Sequence, residues 1–294
     1  MPSPNFLIVG AQKAGTSWLS SNLAKHPDIY IPPQEIHFFD KSHNFRKGTA
    51  WYESHFKEAG QEKLVGEKTP EYLWVTDEFP DNHQADIPQS IYEFYPQAKL
   101  IIIVRNPVER AISAINHIIR SGRISPLIKI DDLIIGEHKG LLEGHGVLDK
   151  GNYYKHLKRF LEYFPLDQML VLVFEDDLIK NPRETLKQVC GFLGVDPSYN
   201  FKGINRKVNR FKRSRFGLLL SYYIPLLRWP TIIMDKCLPL KNSKQYPGKE
   251  ALAGLYDYFK DENQHLYKLI GRHPAAWDKP FLPDENMAYQ KINK

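Results

Sequence analysis

Cysteine is scarce in this chain. Among 294 residues only Cys190 and Cys237 are cysteines, and they lie far apart. Two distant cysteines match neither a disulfide framework nor the paired ligand spacing of a structural zinc site. We therefore expect two reduced, buried thiols. No group of His, Asp or Glu has metal-ligand spacing either, so the sequence predicts no metal site.

We expect neither a leader nor a membrane-spanning segment in this chain. An apolar strand begins by residue 5, which leaves no room for a secretory signal. The apolar segment 216–234 contains Pro225, Arg228 and Pro230, which make it a poor spanning helix. The sequence therefore predicts a cytoplasmic protein without a transmembrane segment.

Excess positive charge is confined to one segment. The formal net charge is +6, from 40 Lys and Arg against 34 Asp and Glu. Seven of the basic residues and no acidic residue lie between Lys202 and Arg215. Such a cluster is typical of a site for an anionic partner or of a solvated basic face, and the sequence does not choose between them. A generally basic nucleic-acid binder is not expected.

The apolar residues that are present predict an α/β fold. Phe6–Val9, Leu100–Val104 and Met169–Phe174 are short, uninterrupted apolar runs, as in strands that are covered on both faces. Each is followed by a helical pattern, and predicted helices cover about 16–26, 107 onward, 153–164, 182–193 and 249–270. We expect a P-loop-like three-layer sandwich with a central parallel sheet flanked by helices.

A glycine-bracketed loop follows the first strand. It reads Gly10-Ala-Gln-Lys-Ala-Gly-Thr-Ser17 and leads directly into a helix, which suits a phosphate. A nucleoside-triphosphate loop would carry Lys after the second glycine, but Thr16 stands there. The only lysine of the loop is Lys13. The pattern predicts a phosphate-bearing donor other than a nucleoside triphosphate.

A second anion-binding signal follows the second predicted strand. Arg105 comes directly after Val104, and Ser113 lies two turns into the next helix. The forked, permanently charged guanidinium suits a second phosphate, to which Ser113 could add a hydrogen bond. Two separate phosphate sites predict a bisphosphorylated nucleotide.

The motifs at 10–17 and 104–113 resemble the two nucleotide motifs of the sulfotransferases, whose donor is 3′-phosphoadenosine 5′-phosphosulfate (PAPS). Within that superfamily the chain is similar to the heparan sulfate N- and 3-O-sulfotransferase branch. The resemblance there comes from Gln-Glu-Ile-His-Phe-Phe-Asp at 34–40, Gly-Glu-Lys-Thr-Pro-Glu-Tyr at 66–72 and Asp-Lys-Gly-Asn-Tyr-Tyr at 149–154. The segment 241–247 is similar to a late loop that closes over the nucleotide in those enzymes.

The resemblance implies roles for individual residues. Glu35 occupies the family's general-base position, with His37 as the competing candidate, while Lys68 aligns with a lysine near the sulfate and the acceptor. Lys13 would neutralise charge that grows on the bridging oxygen. The residues implied in binding PAPS, or its product 3′,5′-adenosine bisphosphate, are Gln12, Lys13, Ala14, Gly15, Thr16, Ser17, Trp18, Arg105, Ser113, Tyr153, Lys244 and Tyr246.

The implied enzyme moves a sulfuryl group to a hydroxyl, or less readily an amine, of a carbohydrate or secondary metabolite, and an anionic acceptor is one of the open choices. A single domain over 1–294 is expected, with 200–247 as an acceptor-side insertion. If the basic segment binds an anionic acceptor, charge reversal at Arg210 and Arg213 should raise the acceptor KM. Two other functions stay open: a P-loop-like kinase or NTP-binding protein, and a non-catalytic module that binds polyanions.

Overall fold

The chain divides into two compact units. The structure, a computed structural model, describes residues 2–60, 64–76, 86–204, 213–237 and 243–278. The first unit comprises residues 1–106, 152–206 and 262–279, and the second comprises 107–151, 207–261 and 280–294. The single domain with an insertion over 200–247 stays a prediction.

A five-stranded parallel sheet forms the centre of the first unit, in the order β2-β3-β1-β4-β5. The predicted α/β class with a central parallel sheet is confirmed. All three predicted strands are present within one residue of their expected ends. The strands are β1 (Phe6–Gly10), β2 (Ile29–Tyr30), β3 (Leu64–Lys68), β4 (Lys99–Val104) and β5 (Met169–Val173).

Strands β2 and β3 were not predicted from the sequence. β2 has two residues, and β3 reads Leu-Val-Gly-Glu-Lys, which lacks a continuous apolar run. Gly66 pairs with Phe6 of β1, and a Cβ added at this glycine would lie 2.4 Å from the Phe6 ring. The glycine that weakens the strand pattern is thus required because an aromatic ring of the neighbouring strand packs against its backbone.

The helices of the first unit lie between and after these strands along the chain. α1 (Thr16–Leu23) ends about three residues before its predicted end, and α9 (Pro182–Leu193) is followed by Gly194, whose φ of 85° confirms the predicted glycine stop. Their bounds are α1 (Thr16–Leu23), α2 (Ser42–Phe45), α3 (Gly48–Glu53), α4 (Ile87–Phe94), α8 (Tyr153–Leu161) and α9 (Pro182–Leu193).

The described part of the second unit is helical. Its core contains the apolar face of α5 (Pro107–Arg120) together with Leu218, Leu255 and Phe259. The long α12 (Lys249–Ile270) belongs to this unit up to residue 261 and to the first unit from residue 262. The helices are α5 (Pro107–Arg120), α6 (Ile130–Ile134), α7 (Gly140–Glu143), α10 (Arg215–Tyr223), α11 (Arg228–Cys237) and α12 (Lys249–Ile270).

Two expectations from composition need correction. Cys190 is buried as predicted, but Cys237 is exposed at the end of α11. Arg213 is not part of a solvated basic face, because its Nε lies 2.6 Å from Oδ2 of Asp235 and both side chains are buried. Arg206, Lys207, Arg210 and Lys212 lie outside the described residues. None of the described helices is long and apolar enough to cross a membrane.

Candidate active site

The carboxyl ends of three neighbouring strands bring the predicted site residues of the first unit to one edge of the sheet. β1 pairs in parallel with β3 on one side and with β4 on the other. Gly10 ends β1, Lys68 ends β3, and Arg105 follows β4. The glycine loop, Lys68 and Arg105 therefore share the edge where α/β sheets bind ligands.

The loop after β1 depends on the second glycine. Gly15 has a φ of 99°, and a Cβ added there would lie 2.8 Å from Cδ2 of Leu178. It precedes α1, and among the described residues no side chain caps that helix. The first amides of α1 therefore suit an anion. Ala14 and Thr16 are buried, and the Ala14 amide donates to the Ala11 carbonyl oxygen at 3.1 Å.

Two side chains of the predicted nucleotide set make protein contacts beside the loop. The Gln12 amide donates a hydrogen bond to the Glu71 carboxylate. Trp18 Nε1 donates to the carbonyl oxygen of Ile204 at 2.7 Å. Both bonds connect the loop region to more distant segments of the first unit, so these side chains support the shape of the loop.

Arg105 reaches back to the loop. Its Nη1 donates to the carbonyl oxygen of Lys13 at 3.2 Å, and its guanidinium carbon lies 4.8 Å from the centre of the Phe174 ring. Tyr153 was predicted to line the nucleotide. Its side chain is buried, and its hydroxyl donates to the Arg105 carbonyl oxygen at 2.9 Å. The Tyr153 hydroxyl therefore supports the backbone at Arg105, and the role of Tyr153 at the nucleotide stays a prediction.

A half-buried carboxylate that the sequence analysis missed lies next to Arg105. Glu175 accepts hydrogen bonds from the Asn106 amide at 3.0 Å and from Trp277 Nε1 at 2.9 Å. Burial raises the pKa of Glu175, and the charge of Arg105 opposes that rise. The adjacent acidic residues Glu175–Asp177 directly after β5 were the only sequence signal for it.

Three residues of the predicted nucleotide set belong to the second unit. Ser113 lies on α5, and the Lys244 ammonium lies 4.6 Å from the centre of the Tyr246 ring. Their roles at the nucleotide stay predictions. Of the similar segment 241–247, residues 241 and 242 lie outside the described part of the chain.

Glu35, His37 and Lys68 form one connected cluster. Lys68 Nζ lies 2.5 Å from Glu35 Oε1, and His37 Nε2 lies 3.5 Å from Glu35 Oε2. The Glu35 side chain is 36% exposed, whereas that of Lys68 is 10% exposed. Lys68 therefore differs from a typical surface lysine, because its side chain is mostly buried and pairs with a carboxylate.

The charges of this cluster are strongly coupled. Burial alone would raise the pKa of Glu35, but the hydrogen bonds from His37 and Lys68 outweigh it and lower that pKa to about 2. Burial alone would lower the pKa of His37, yet its hydrogen bonds to Asp40 and Glu35 raise it to about 10. At neutral pH Glu35 is a carboxylate and His37 an imidazolium.

Asp40 contacts the second nitrogen of the His37 imidazole, the one that does not face Glu35. It is fully buried, and its carboxylate oxygens lie 2.9 and 3.1 Å from His37 Nδ1. The sequence analysis quoted Asp40 within its motif but assigned it no role. The Glu-x-His-x-x-Asp spacing at 35–40 was the signal that could have found it.

A second buried carboxylate supports the backbone of this segment. Oε1 of Glu67 accepts from the hydroxyls of Tyr52 at 2.7 Å and Tyr72 at 2.8 Å, and Oε2 accepts from Thr69 at 3.0 Å. The Tyr72 hydroxyl in turn accepts from the Phe38 amide at 2.9 Å. Burial raises the pKa of Glu67 to about 7, although its hydrogen bonds oppose the rise. The network therefore reaches Phe38, the residue after His37. His37 itself has a positive φ of 54°.

Comparison with known proteins identifies the class of this chain. It belongs to the family described as the sulfotransferase domain, whose model matches residues 3–214, and it is a sulfotransferase. Heparan sulfate glucosamine 3-O-sulfotransferase 6 from Homo sapiens is 35% identical over 279 residues, which are 92% of this chain and 72% of that protein. Heparan sulfate glucosamine 3-O-sulfotransferase 5 from Homo sapiens is 30% identical over 274 residues, with the same two shares.

A solved structure agrees with this assignment. The crystal structure of a sulfotransferase from Alicyclobacillus acidocaldarius is 25% identical and covers 95% of this chain and 100% of its own, with a TM-score of 0.67. Among the residues that the structure describes here, no three His, Cys, Asp or Glu side chains are grouped so as to hold a metal ion.

Proposed function

We propose that this enzyme transfers the sulfuryl group of PAPS to a hydroxyl of a carbohydrate acceptor, with Glu35 as the general base. The observation that carries the proposal is the Glu35–Lys68 pair at the same sheet edge as the Gly10–Ser17 loop and Arg105. PAPS supplies an activated sulfuryl group whose transfer leaves 3′,5′-adenosine bisphosphate. The named 3-O-sulfotransferase relatives support the carbohydrate class of the acceptor.

Glu35 is better suited than His37 to accept the acceptor's proton. His37 already carries its proton at neutral pH, because its pKa is raised to about 10. Glu35 is ionised and partly exposed, so a hydroxyl can approach it. His37 and Asp40 then orient the carboxylate, as a base is commonly held by a neighbouring group.

The residues of the first unit also fit an anionic nucleotide donor. Lys13, the uncapped start of α1 and Arg105 supply positive charge and amide donors at one sheet edge. Lys68 would stabilise charge on the transferring group. A kinase would need the lysine that Thr16 replaces, and a polyanion-binding module would have no use for the Glu35–Lys68 pair. The cytoplasmic location stays a prediction.

Calorimetric titration tests the donor class. The purified chain should bind 3′,5′-adenosine bisphosphate more tightly than 5′-AMP or ATP with Mg²⁺, and Arg105→Ala should weaken that binding at least tenfold. Lys187→Ala is the control, because it removes one exposed positive charge that pairs with Glu184 on α9. Preference for ATP with Mg²⁺, or equal loss in both variants, would contradict the proposal.

The base is tested separately. Glu35→Gln should leave bisphosphate binding within a factor of about two and lower kcat by about 10²–10⁴-fold, the usual contribution of general-base catalysis. Sulfated product is measured from labelled PAPS with a panel of carbohydrate acceptors. Undiminished kcat in this variant would remove Glu35 from the role of base.

A further inference from the structure

The α10–α11 hairpin, residues 213–237, buries polar groups and exposes apolar ones. Inside it, Arg213 Nη2 donates to the Gly217 carbonyl at 2.9 Å, to Thr231 Oγ1 at 3.0 Å and to Ser221 Oγ at 3.1 Å. The Asp235 carboxylate accepts from Arg213 and from the Ser214 amide. A pair of helices in water normally places such residues outside.

The packing of the hairpin depends on this polar interior. A Cβ added at Gly217 would lie 2.6 Å from Oδ2 of Asp235, so the carboxylate packs directly against the backbone of α10. Leaving either member of the buried Arg213–Asp235 pair alone would be strongly unfavourable. The inverted arrangement is therefore a stable feature of the hairpin.

The outside of the hairpin is apolar around its turn. Between the helices, Pro225–Leu227 forms a short 3-10 turn in which Leu226 is 90% exposed, and Trp229 at the start of α11 is 75% exposed. Four further large apolar residues of the hairpin are exposed, namely Phe216, Tyr223, Ile224 and Ile233. So dense a group of exposed aromatic and aliphatic side chains marks an interaction surface.

The exposed charges of the hairpin are all positive. Arg215, Arg228 and Lys236 are exposed, while Asp235, the hairpin's one acidic residue, is buried against Arg213. Tryptophan, tyrosine and aliphatic residues mixed with basic ones are the composition of an element that lies in a membrane interface. The helices have 9 and 10 residues, each about 15 Å long, too short to span a bilayer core of roughly 30 Å.

We propose that the α10–α11 hairpin docks on the surface of an anionic phospholipid bilayer, with Leu226 and Trp229 inserted among the lipids and Arg215 and Arg228 at the headgroups. A second copy of the chain fits less well, because a two-fold contact would place this positive surface against itself. A soluble polyanion would satisfy the arginines but leave the apolar side chains in water. The inference does not depend on the identity of the donor or acceptor.

Vesicle sedimentation with the full chain tests the proposal. It should bind vesicles that contain phosphatidylglycerol and bind pure phosphatidylcholine vesicles at least tenfold more weakly. Leu226→Gln with Trp229→Gln should lower binding at least tenfold, whereas Leu166→Gln, a 58% exposed leucine of the first unit, should leave it unchanged. Arg215→Gln with Arg228→Gln should abolish most of the preference for the anionic lipid. Circular dichroism and thermal melts check that each variant folds.

Three results would overturn the proposal. One is failure of the wild-type chain to bind either vesicle. Another is equal vesicle binding by the Leu226→Gln/Trp229→Gln variant and the wild type. The third is a dimer in analytical ultracentrifugation that this double variant dissociates, because the apolar surface would then belong to a second copy of the chain.

Discussion

The hydroxyl of Tyr72 offers a sharp test of how the candidate base is held. Tyr72 and Tyr52 are both fully buried, and both donate to the same Glu67 oxygen, at 2.8 and 2.7 Å. Only the Tyr72 hydroxyl also accepts a hydrogen bond from the Phe38 amide, at 2.9 Å. Tyr72→Phe and Tyr52→Phe therefore form a matched pair of variants, in which only Tyr72→Phe also removes the acceptor of the Phe38 amide.

Tyr72→Phe should lose more stability than Tyr52→Phe. Each removes a buried hydrogen bond to a carboxylate, worth about 1.5–3 kcal/mol, and Tyr72→Phe adds the cost of a buried amide that loses its acceptor, about 1–3 kcal/mol. Denaturant unfolding monitored by fluorescence gives these losses. Both substitutions lie in the first unit, so the unfolding curves should be fitted with a model that allows the two units to unfold in separate transitions.

Their activities should differ. Phe38 follows His37, whose imidazole bridges Asp40 and Glu35, so loosening Phe38 in Tyr72→Phe displaces the base. A displacement of about 1 Å can cost on the order of 10²-fold in rate. We expect kcat to fall at least tenfold in Tyr72→Phe with little change in the donor KM, and to stay within about twofold in Tyr52→Phe. Equal loss of kcat in the two variants, or none in Tyr72→Phe, would refute the reasoning.

Two further predictions concern the loop and the imidazole. Gly15→Ala forces a φ of 99° on alanine, which costs about 1–2 kcal/mol, and places a methyl group against Leu178, so melting temperature and bisphosphate affinity should both fall. Gly191→Ala on α9 has open space and should stabilise the chain, and equal behaviour of the two in calorimetry would contradict the role of the loop. Because the pKa of His37 is raised from 6.5 to about 10, its stabilising contribution should be complete below pH 6.5 and disappear as pH rises through about 10. An imidazole NMR titration with a midpoint at or below 6.5 would contradict that assignment, and Asp40→Asn should lower the midpoint.

The sequence analysis found the strands whose residues are almost all apolar, because both faces of these strands are covered by apolar residues. β1, β4 and β5 lie in the interior of the parallel sheet or at its apolar edge, so their residues read as continuous apolar runs. β3 also lies inside the sheet, but it carries Gly66 to admit Phe6 and Glu67 to form a polar network. These two requirements come from neighbours distant in sequence, so no local pattern reveals them.

The candidate site also has one part that the sequence predicted and another that only the structure revealed. The sequence by itself determined the loop after β1, the placement of Arg105 after β4 and, through resemblance, the choice of Glu35 and Lys68, because these depend on short motifs and on the rule that parallel strand ends meet at one edge. Only the tertiary structure decided that Lys68 pairs with Glu35, that buried Asp40 pairs with His37, and that half-buried Glu175 lies near Arg105. It likewise decided that the Tyr153 hydroxyl donates to the Arg105 carbonyl oxygen. It also decided that Arg213 is buried inside the α10–α11 hairpin while Trp229 is exposed. Burial and charge pairing depend on residues far apart along the chain, and composition cannot specify which of them meet.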